Sequence, residues 1–398
     1  MKILYITSDP LEYWTSANIR NLNLIEGLLS CGHQVTTLST EVGLNSLGKS
    51  NNVPRECKRY FIPLNKLHSI MTQKKTDHSN LINKFISVLK ESLYILKKHF
   101  TIYDARKMEV SNLKMINIVE HYDVMISSSD PKSSHLYAEK LKRLYPNIAD
   151  KWVQYWGDPF TGDISKGFIG LHSSLAKEEL RLLQLCDLAV YVSPLTMNYI
   201  CNKYRKNDIE RKIYFTPIAY SHPKLYRAKS NEPYLIGYFG DYCKRNRNIL
   251  PLYNAMARLG DKALLKIIGA SDVSLAQTNN VQVFKRMPAV ELQQVEKDTN
   301  LRICICNRNG TQIPGKIYHA GATDTPTLII LDGDCASEIR KYFEQFNRYY
   351  FCENNEQSIY DAINKISDYN LNTTISSMPV SDFNAISVAQ NIIKRLGY

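Results

Sequence analysis

The sequence lacks the features that define several specialised classes of protein. No apolar stretch approaches the roughly 18–20 residues that a membrane-spanning helix needs. The amino terminus, MKILYITSDP, has one lysine followed by a β-rich run and no small-residue cleavage site, so we interpret it as a first strand. We therefore expect the protein to stay in the cytoplasm.

Two patterns that bind metal ions are also missing from the sequence. The nine cysteines do not pair at the spacings of a zinc site. Cys304 and Cys306 alternate within a strand-like run, which places both on one face, and we interpret the cysteines as reduced core residues. No isolated Asp-x-Asp ends a predicted strand, since the nearest string, Asp-Gly-Asp at 332–334, is interpreted as a turn. The sequence therefore predicts no metal site.

The composition is that of an ordinary globular protein, but its charge is uneven. With 398 residues, 44% hydrophobic and 22% charged, the chain suits about two to three domains. The net charge is +12, and residues 51–120 hold thirteen Lys and Arg against six acids. Within this block, residues 81–100 place apolar side chains at helical spacing with lysines mostly elsewhere. Such a helix either packs on a sheet or lies on an anionic membrane surface. No nucleic-acid recognition module is present, so we expect no nucleic-acid partner.

Short strand-like runs alternate with helical patterns along most of the chain. A first series reads KILYIT, QVTTLST, DVMISSS, WVQYWG and LAVYVS, and a second reads YLIGYFG, ALLKIIG, VQVFKR, LRICICN and TLIILDG. This alternation is typical of doubly wound parallel sheets. A polar, proline-flanked stretch at 221–233 between the two series fits a linker. The sequence therefore predicts an α/β protein with two Rossmann-like domains, at 1–222 and 231–382, facing a central cleft.

Five short strings, spread over nearly the whole chain, carry a family resemblance. They are MKILYIT with GLLSCGHQVTTLST at 27–40, DVMISSSDPKSSHLYA at 123–138, WVQYWGDPF at 152–160, GYFGD at 237–241 with Arg-Asn at 247–248, and PGKIYHAGATDTP at 314–326. In this order they resemble the GT-B glycosyltransferases, in particular the large retaining group often called family 4. The resemblance implies a GT-B architecture in which 1–222 binds the acceptor, a helix at 383–398 packs back on that domain, and 231–382 binds a nucleotide sugar.

The same resemblance implies an activity. Relatives of this type move a sugar from a nucleotide diphosphate sugar to a lipid-linked or polysaccharide acceptor during the synthesis of capsules, O-antigens and lipopolysaccharide. They are thought to retain the anomeric configuration by front-face attack, with the donor's own phosphate helping to deprotonate the acceptor. We therefore expect a retaining hexosyltransferase with no metal and no cofactor besides the donor, in the cytoplasm and peripheral on the inner face of the membrane.

A donor site is predicted in the second half of the chain, where it must stabilise a leaving pyrophosphate. Pro314 and Gly315 suit a tight turn into a helix beginning near Lys316, whose free N–H groups would face phosphate. Arg247 is the expected main clamp, because a guanidinium matches phosphate oxygens. The predicted donor site comprises Gly240, Lys244, Arg245, Arg247, Thr311, Gln312, Ile313, Pro314, Gly315, Lys316, Tyr318 and His319.

The chain departs from the family pattern at two donor positions. Many relatives have a glutamate that hydrogen-bonds the donor ribose where this chain has His319, and often a second glutamate where it has Thr311. A histidine can donate or accept one hydrogen bond to a hydroxyl, so His319 is a candidate ribose contact, with a structural role as the alternative. Tyr318 beside it could contact the base or pack in the core.

An acceptor site is predicted in the first half of the chain. Asp158 follows an apolar strand, and its carboxylate could orient the acceptor hydroxyl or take its proton; alternatively it only forms a turn before proline. His135 is a weaker candidate base and could equally be a buried helix residue. The predicted acceptor site comprises Asp158 with Ser16, Ala17, Arg20, His135, Trp156 and Gly157.

Two other functions compete with sugar transfer. One is a GT-B nucleotide-sugar epimerase or hydrolase, although such enzymes lack a long insertion comparable to the basic block at 51–120. The other is a catalytically idle subunit that binds a sugar nucleotide, which the missing glutamates suggest. Hydrolysis of the donor without acceptor separates the idle subunit from the two enzymes.

Overall fold

The computed structural model describes residues 1–43, 52–65, 101–164, 172–226, 233–372 and 378–398. These residues form two compact units, Met1–Pro217 with Ala385–Tyr398, and Ile218–Asn384. The amphipathic helix predicted at 81–100 lies outside the described residues. Of the helices in the described ranges, none has the length and apolar character needed to cross a membrane.

The first unit is built on a parallel sheet, which has seven strands among the described residues. The strands are β1 (Lys2–Ile6), β2 (Gln34–Thr40), β3 (Lys58–Ile62), β4 (Tyr122–Ser128), β5 (Ala149–Trp156), β6 (Leu188–Tyr191) and β7 (Ile213–Phe215). They lie in the order β3-β2-β1-β4-β5-β6-β7, with Leu4 opposite Thr36 on β2 and Met125 on β4. Trp152 and Trp156 are among the largest fully buried side chains, so the core lies around β5.

Helices connect the strands of this unit. They are α1 (Ser16–Ser30), α2 (Ser133–Leu144), α3 (His172–Leu185) and α4 (Pro194–Tyr204), with 3-10 helices at Ala105–Met115, Arg205–Asn207 and Glu210–Lys212. Two begin at hydroxyl caps: Thr15 accepts from the backbone N–H of Asn18, and Ser193 accepts from that of Thr196. Because helices join parallel strands, the central strands are buried on both faces and their sequences are almost continuously apolar.

The second unit repeats this architecture with a six-stranded parallel sheet in the described residues. Its strands are β8 (Tyr234–Phe239), β9 (Ala263–Ile268), β10 (Val281–Phe284), β11 (Leu301–Ile305), β12 (Thr327–Leu331) and β13 (Tyr349–Glu353), in the order β10-β9-β8-β11-β12-β13. Its helices are α5 (Leu250–Leu259), α6 (Ala289–Asp298), α7 (Gly315–Ala320), α8 (Ala336–Glu344) and α9 (Glu356–Asn372), with 3-10 turns at Gly260–Lys262 and Ser381–Phe383. The prediction of two doubly wound parallel α/β domains is confirmed.

The last helix, α10 (Ala385–Arg395), belongs to the first unit and packs on α1. Val388, Ala389 and Ile392 are fully buried in this contact. The backbones approach so closely that a Cβ atom at Gly27 would overlap the carbonyl group of Ala385. A glycine on α1 is therefore needed for this packing.

Each sheet contains one point where the strand order reverses, between β1 and β4 in the first unit and between β8 and β11 in the second. At such a point the connections leave in opposite directions, which opens a crevice outside the carboxyl ends of the strands. The functional residues of each unit are therefore expected in the loops that follow these strands.

Candidate functional site

In the first unit, the loop after β1 is shaped by side-chain hydrogen bonds rather than by glycines. The Asn18 amide donates to the carbonyl oxygens of Pro10 at 2.8 Å and Tyr13 at 3.0 Å. These bonds fold the loop back onto the first turn of α1. Ser16 is exposed and Ala17 is partly exposed in that turn, so both predicted residues lie at the surface of the helix start.

The structure brings the predicted residues Arg20 and Gly157 into direct contact. Arg20 is 6% exposed, donates from Nη2 to the Ser129 carbonyl oxygen, and lies 5.2 Å from the ring centroid of Tyr155. A Cβ atom at position 157 would overlap the guanidinium, so a larger residue there would displace Arg20 from this position. The Gly157 N–H donates to Ser129 Oγ at 3.3 Å, which joins the ends of β4 and β5.

A buried lysine lies beside this contact. Lys132 is 1% exposed, and its Nζ lies 2.9 Å from Asp130 Oδ1 and 2.9 Å from Asp163 Oδ2. Its ammonium is also 5.7 Å from the ring centroid of Phe160. Burial alone would lower the pKa of Lys132, but the carboxylates of Asp130, Asp163 and Asp158 outweigh it and raise the pKa above its usual value. The lysine is therefore charged.

Asp158 lies at the end of β5 among these charges and is partly exposed. Burial, followed by the negative charges of Asp130 and Asp163, raises the pKa of the Asp158 carboxyl to about 7, against the opposing charges of Lys132 and Arg20. Its ionised and neutral forms are therefore both populated near neutral pH. A carboxyl group of this kind can accept and return a proton, as general base catalysis requires.

The loop that carries Asp158 is anchored by Glu179 on α3. This buried carboxylate accepts hydrogen bonds from the backbone N–H of Phe160 at 2.6 Å, from Thr161 Oγ1, and from the Tyr204 hydroxyl at 2.8 Å. The carboxylate thus binds the loop through the Phe160 N–H and the Thr161 hydroxyl, and it binds the end of α4 through the Tyr204 hydroxyl. The loop that follows Asp158 is thereby fixed to α3.

His135 and Trp156, which were predicted at the acceptor site, are both fully buried. The Ser127 hydroxyl oxygen accepts from Trp152 Nε1 at 2.9 Å and is hydrogen-bonded to His135 Nδ1 at 2.8 Å. Burial and the nearby Lys132 and Arg20 charges hold the pKa of His135 well below its usual range. The ring centroids of the neutral imidazole and Trp156 lie 4.1 Å apart with the ring planes tilted by 38°, so both residues belong to the buried layer beneath the site.

In the second unit, Arg247 is held in place by a residue that the sequence did not indicate. Its Nε donates to Asn307 Oδ1 at 2.7 Å, and the Asn307 amide donates to the Gln312 carbonyl oxygen at 2.8 Å. Asn307 follows β11, whereas Arg247 lies in the loop after β8. The loops on the two sides of the switch point are thus joined, and a half-buried guanidinium is oriented between them.

Lys316 lies at the same edge of the sheet. A Cβ atom at Gly240, at the end of β8, would lie 3.2 Å from Lys316 Cδ and Cε, so the glycine makes room for the lysine stem. Helix α7, which was expected to point its amino terminus at phosphate, has only 6 residues, and Lys316 is exposed in its first turn. The charge of Lys316, rather than the dipole of so short a helix, is therefore what could bind an anion at this edge.

His319 and Tyr318 follow on α7 with different surroundings. His319 is half-buried, and burial together with the Lys316 charge lowers its pKa to about 4, so the imidazole is neutral near pH 7. The Tyr318 ring is fully buried, with its centroid 5.4 Å from that of Phe343 and 5.1 Å from that of Phe383. The ring therefore forms part of the core, and His319 is the residue of the pair that reaches the surface.

The other predicted donor residues divide by exposure. Lys244 and Arg245 are exposed in the loop after β8, and Thr311 is partly exposed. Gln312, Ile313 and Pro314 are buried and lead the chain into α7. Asp241, which was not predicted, forms an exposed ion pair with Arg286 and accepts from the backbone N–H of Ala270 at 2.9 Å.

Comparison with known proteins finds structures of similar fold but no protein of similar sequence. No protein-family model and no curated protein sequence matches the chain. The structure is similar to that of HepE from Anabaena in complex with UDP and glucose, at 10% identity, 100% coverage of this chain, 99% of HepE and a TM-score of 0.61. It is also similar to sucrose-phosphate synthase from Thermosynechococcus elongatus, at 13% identity, 100% and 94% coverage and a TM-score of 0.55. A third is the lipopolysaccharide outer core galactosyltransferase WaaB, at 13% identity, 100% and 99% coverage and a TM-score of 0.54. This chain has the GT-B fold of these proteins.

Proposed function

We propose that this protein is a glycosyltransferase that uses a nucleotide diphosphate sugar as donor. The observation that carries the proposal is the arrangement of Arg247 and Lys316 at the switch point of the second sheet. Two cations in the segments that follow β8 and β11 suit a diphosphate, because charge develops on the leaving phosphate as the glycosidic bond breaks. The similar HepE structure contains UDP and glucose, which supports a ligand of this class.

The donor half of the reaction falls to the second unit. Arg247, oriented through Asn307, would donate to the phosphate oxygens, and the Lys316 ammonium would add a point charge. His319 would hydrogen-bond a ribose hydroxyl, since a neutral imidazole can donate from one nitrogen and accept at the other. This arrangement needs no divalent ion as counter-charge, so we propose metal-independent transfer without a further cofactor.

The acceptor half falls to the first unit. The Asp158 carboxylate would accept a hydrogen bond from the acceptor hydroxyl and orient it, and its pKa near 7 lets it take a proton at working pH. Gly157 precedes it in the chain, and the charge of Arg20 on α1 acts on its carboxyl. Ser16 and Ala17, in the first turn of α1, are proposed to contact the acceptor as well. We propose retention of configuration, and a lipid-linked or polysaccharide acceptor in surface polysaccharide synthesis, from the family resemblance of the sequence strings.

We further propose that the protein binds the inner face of the plasma membrane through the basic segment at 81–100. The proposal rests on the sequence, in which lysines accompany an apolar helical pattern. Anionic lipids attract such segments by roughly 1 kcal/mol per basic residue near the surface. An enzyme docked in this way would meet a lipid-linked acceptor directly.

Thermal unfolding in the presence of a panel of nucleotide sugars tests the donor proposal. A ligand at about 100 times its dissociation constant stabilises the folded state by roughly 2.7 kcal/mol, which raises the unfolding temperature by several degrees. The Arg247→Ala variant should lose this response, whereas Arg258→Ala, which removes an exposed arginine from α5, should keep it. If no nucleotide sugar changes the unfolding temperature, the proposed function is wrong.

Product analysis then separates the candidate activities. A transferase should release free nucleotide slowly from the accepted donor and produce sugar with the donor's anomeric configuration, as NMR would detect. An epimerase would convert the sugar at C2, and an idle subunit would bind the nucleotide sugar and turn nothing over. Inversion of the anomeric centre would contradict the retaining mechanism alone.

A further inference from the structure

Lys132 is a buried charged residue with no part in the donor and acceptor chemistry described above. Lysine is rarely fully buried unless it is paired, because an ammonium removed from water must be compensated. Here the compensation comes from Asp130 and Asp163, each 2.9 Å from Nζ. The side chain of Asp163 is 2% exposed and that of Asp130 is 35% exposed, so the pair with Asp163 is the buried one.

The ion pairs join two loops that the sequence keeps apart. Asp130 and Lys132 follow β4, whereas Asp158 and Asp163 follow β5. Within the described residues, the ammonium makes its ion pairs with Asp130 and Asp163 and none with Asp158. The carboxylate of the partly exposed Asp158 therefore stays available to a substrate, whereas Asp130 and Asp163 are held by the ammonium.

We propose that Lys132 is a positioning residue for the acceptor reaction, which acts by holding the Asp158 loop to the end of β4 and by balancing the negative charges that surround Asp158. The catalytic part of this statement rests on the proposed function, because it takes Asp158 as the group that meets the acceptor. The electrostatic part concerns the chain alone and can be measured without turnover.

The groups facing Asp158 have charges of both signs. Asp130 and Asp163 oppose ionisation of its carboxyl, and Lys132 and Arg20 favour it. Replacing Asp163 by asparagine removes one opposing charge, so the pKa of Asp158 should fall. Replacing Lys132 as well removes one favouring charge, so the pKa should rise again. Lys132→Met alone is a poor test, since it removes the ammonium from the buried Asp163 carboxylate and so disturbs the packing of the site as well as its charge.

The experiment follows the carboxyl group of Asp158 by carbon-13 NMR of protein labelled at aspartate side chains, with Asp158→Asn to identify the resonance. In Asp163→Asn we expect the pKa of Asp158 to fall by on the order of one unit, at the lower end of what a neighbouring charge causes. In the double variant Lys132→Met with Asp163→Asn we expect it to return towards the unmodified value. Lys151→Gln, which removes an exposed lysine from the same unit, should leave the titration unchanged.

The pH profile of the reaction supplies the second readout. The acidic limb of kcat/KM for release of UDP from UDP-glucose, or from the nucleotide sugar that the thermal screen selects, should move in parallel with the NMR titration. If Asp163→Asn fails to fold, Asp130→Asn provides the same downward shift from a more exposed position. A titration that Asp163→Asn and Asp130→Asn leave unchanged, or a double variant that stays at the single variant's value, would overturn the proposal. A confirmed NMR shift with no turnover of any nucleotide sugar would instead contradict the proposed function and leave the charge balance intact.

Discussion

Replacing Arg247 by alanine tests the donor chemistry most directly. Among the residues that the structure describes, the guanidinium is held by one hydrogen bond from Nε to Asn307 Oδ1 at 2.7 Å, and Nη1 has a long contact of 3.4 Å to the Asp241 carbonyl oxygen. The outer nitrogens are therefore poorly satisfied within the protein and suited to a phosphate. Loss of one preorganised donor to a developing oxyanion typically costs roughly 3–4 kcal/mol, so kcat/KM for the nucleotide sugar should fall about 10²–10³-fold.

The hydrogen bond to Asn307 allows a graded version of the same experiment. Asn307→Ala leaves the charge of Arg247 in place but removes its orientation, and a hydrogen bond to a charged group contributes about 1.5–3 kcal/mol. Its effect on kcat/KM should therefore be smaller than that of Arg247→Ala, at about tenfold or more. Arg258→Ala on α5 removes the same charge from the same unit and should change kcat/KM less than about twofold.

Steady-state release of nucleotide, coupled to a nucleotide-specific reporter enzyme, provides the assay. Urea unfolding of each variant checks that the fold is retained. A normal kcat/KM in a folded Arg247→Ala variant would refute the placement of the diphosphate at this edge of the sheet. An Asn307→Ala variant more impaired than Arg247→Ala would show that Asn307 acts through something other than the guanidinium.

Three further predictions address the metal, the membrane and the acceptor loop. Turnover should survive an excess of EDTA, because Arg247 and Lys316 supply the counter-charge, and a loss that Mg²⁺ or Mn²⁺ restores would contradict this. Sedimentation of the protein with anionic vesicles should weaken with added salt, because salt screens the attraction between lysines and lipids. Changing Lys90, Lys97 and Lys98 to glutamate should abolish the sedimentation and leave donor binding unaltered. Unchanged sedimentation of this variant would favour a packing role for the segment. Glu179→Ala should lower the free energy of unfolding by about 3 kcal/mol, since it leaves the buried Phe160 N–H and the Thr161 hydroxyl without their acceptor. A loss below about 1 kcal/mol in urea unfolding would count against the anchor.

The sequence predicted the interior of both sheets well and their edges poorly. The central strands are buried on both faces, so they appear as short apolar runs such as KILYIT and LRICICN. The strands β3, β7 and β13 were not predicted. All three are edge strands with half-exposed positions, and β3 has the sequence KRYFI, whose charged residues hide the strand pattern. An edge strand has a neighbouring strand on one side and solvent on the other, so fewer of its positions need apolar residues and its sequence is harder to identify as a strand.

The candidate site was predictable where local strings define a loop and unpredictable where distant side chains meet. Asp158, Arg247 and Lys316 lie in the segments that follow the apolar runs of β5, β8 and β11, so the strand pattern together with the local strings predicted their location, and their roles are predictions. Asn307 lies 60 residues from its partner Arg247, and Lys132 lies 31 residues from Asp163. The only local signal for Lys132 was its place in Asp-Pro-Lys, after a predicted strand.

The packing of α10 on α1 determines the order in which this protein can be completed during synthesis. The first unit contains the first 217 residues of the chain, but it also requires residues 385–398, which leave the ribosome after the whole second unit. Until then the surface of α1 around Gly27 stays uncovered, even though a chain usually folds its amino-terminal domain first. The first unit is therefore synthesised first but completes its packing last. The second unit can fold while the first unit still lacks α10.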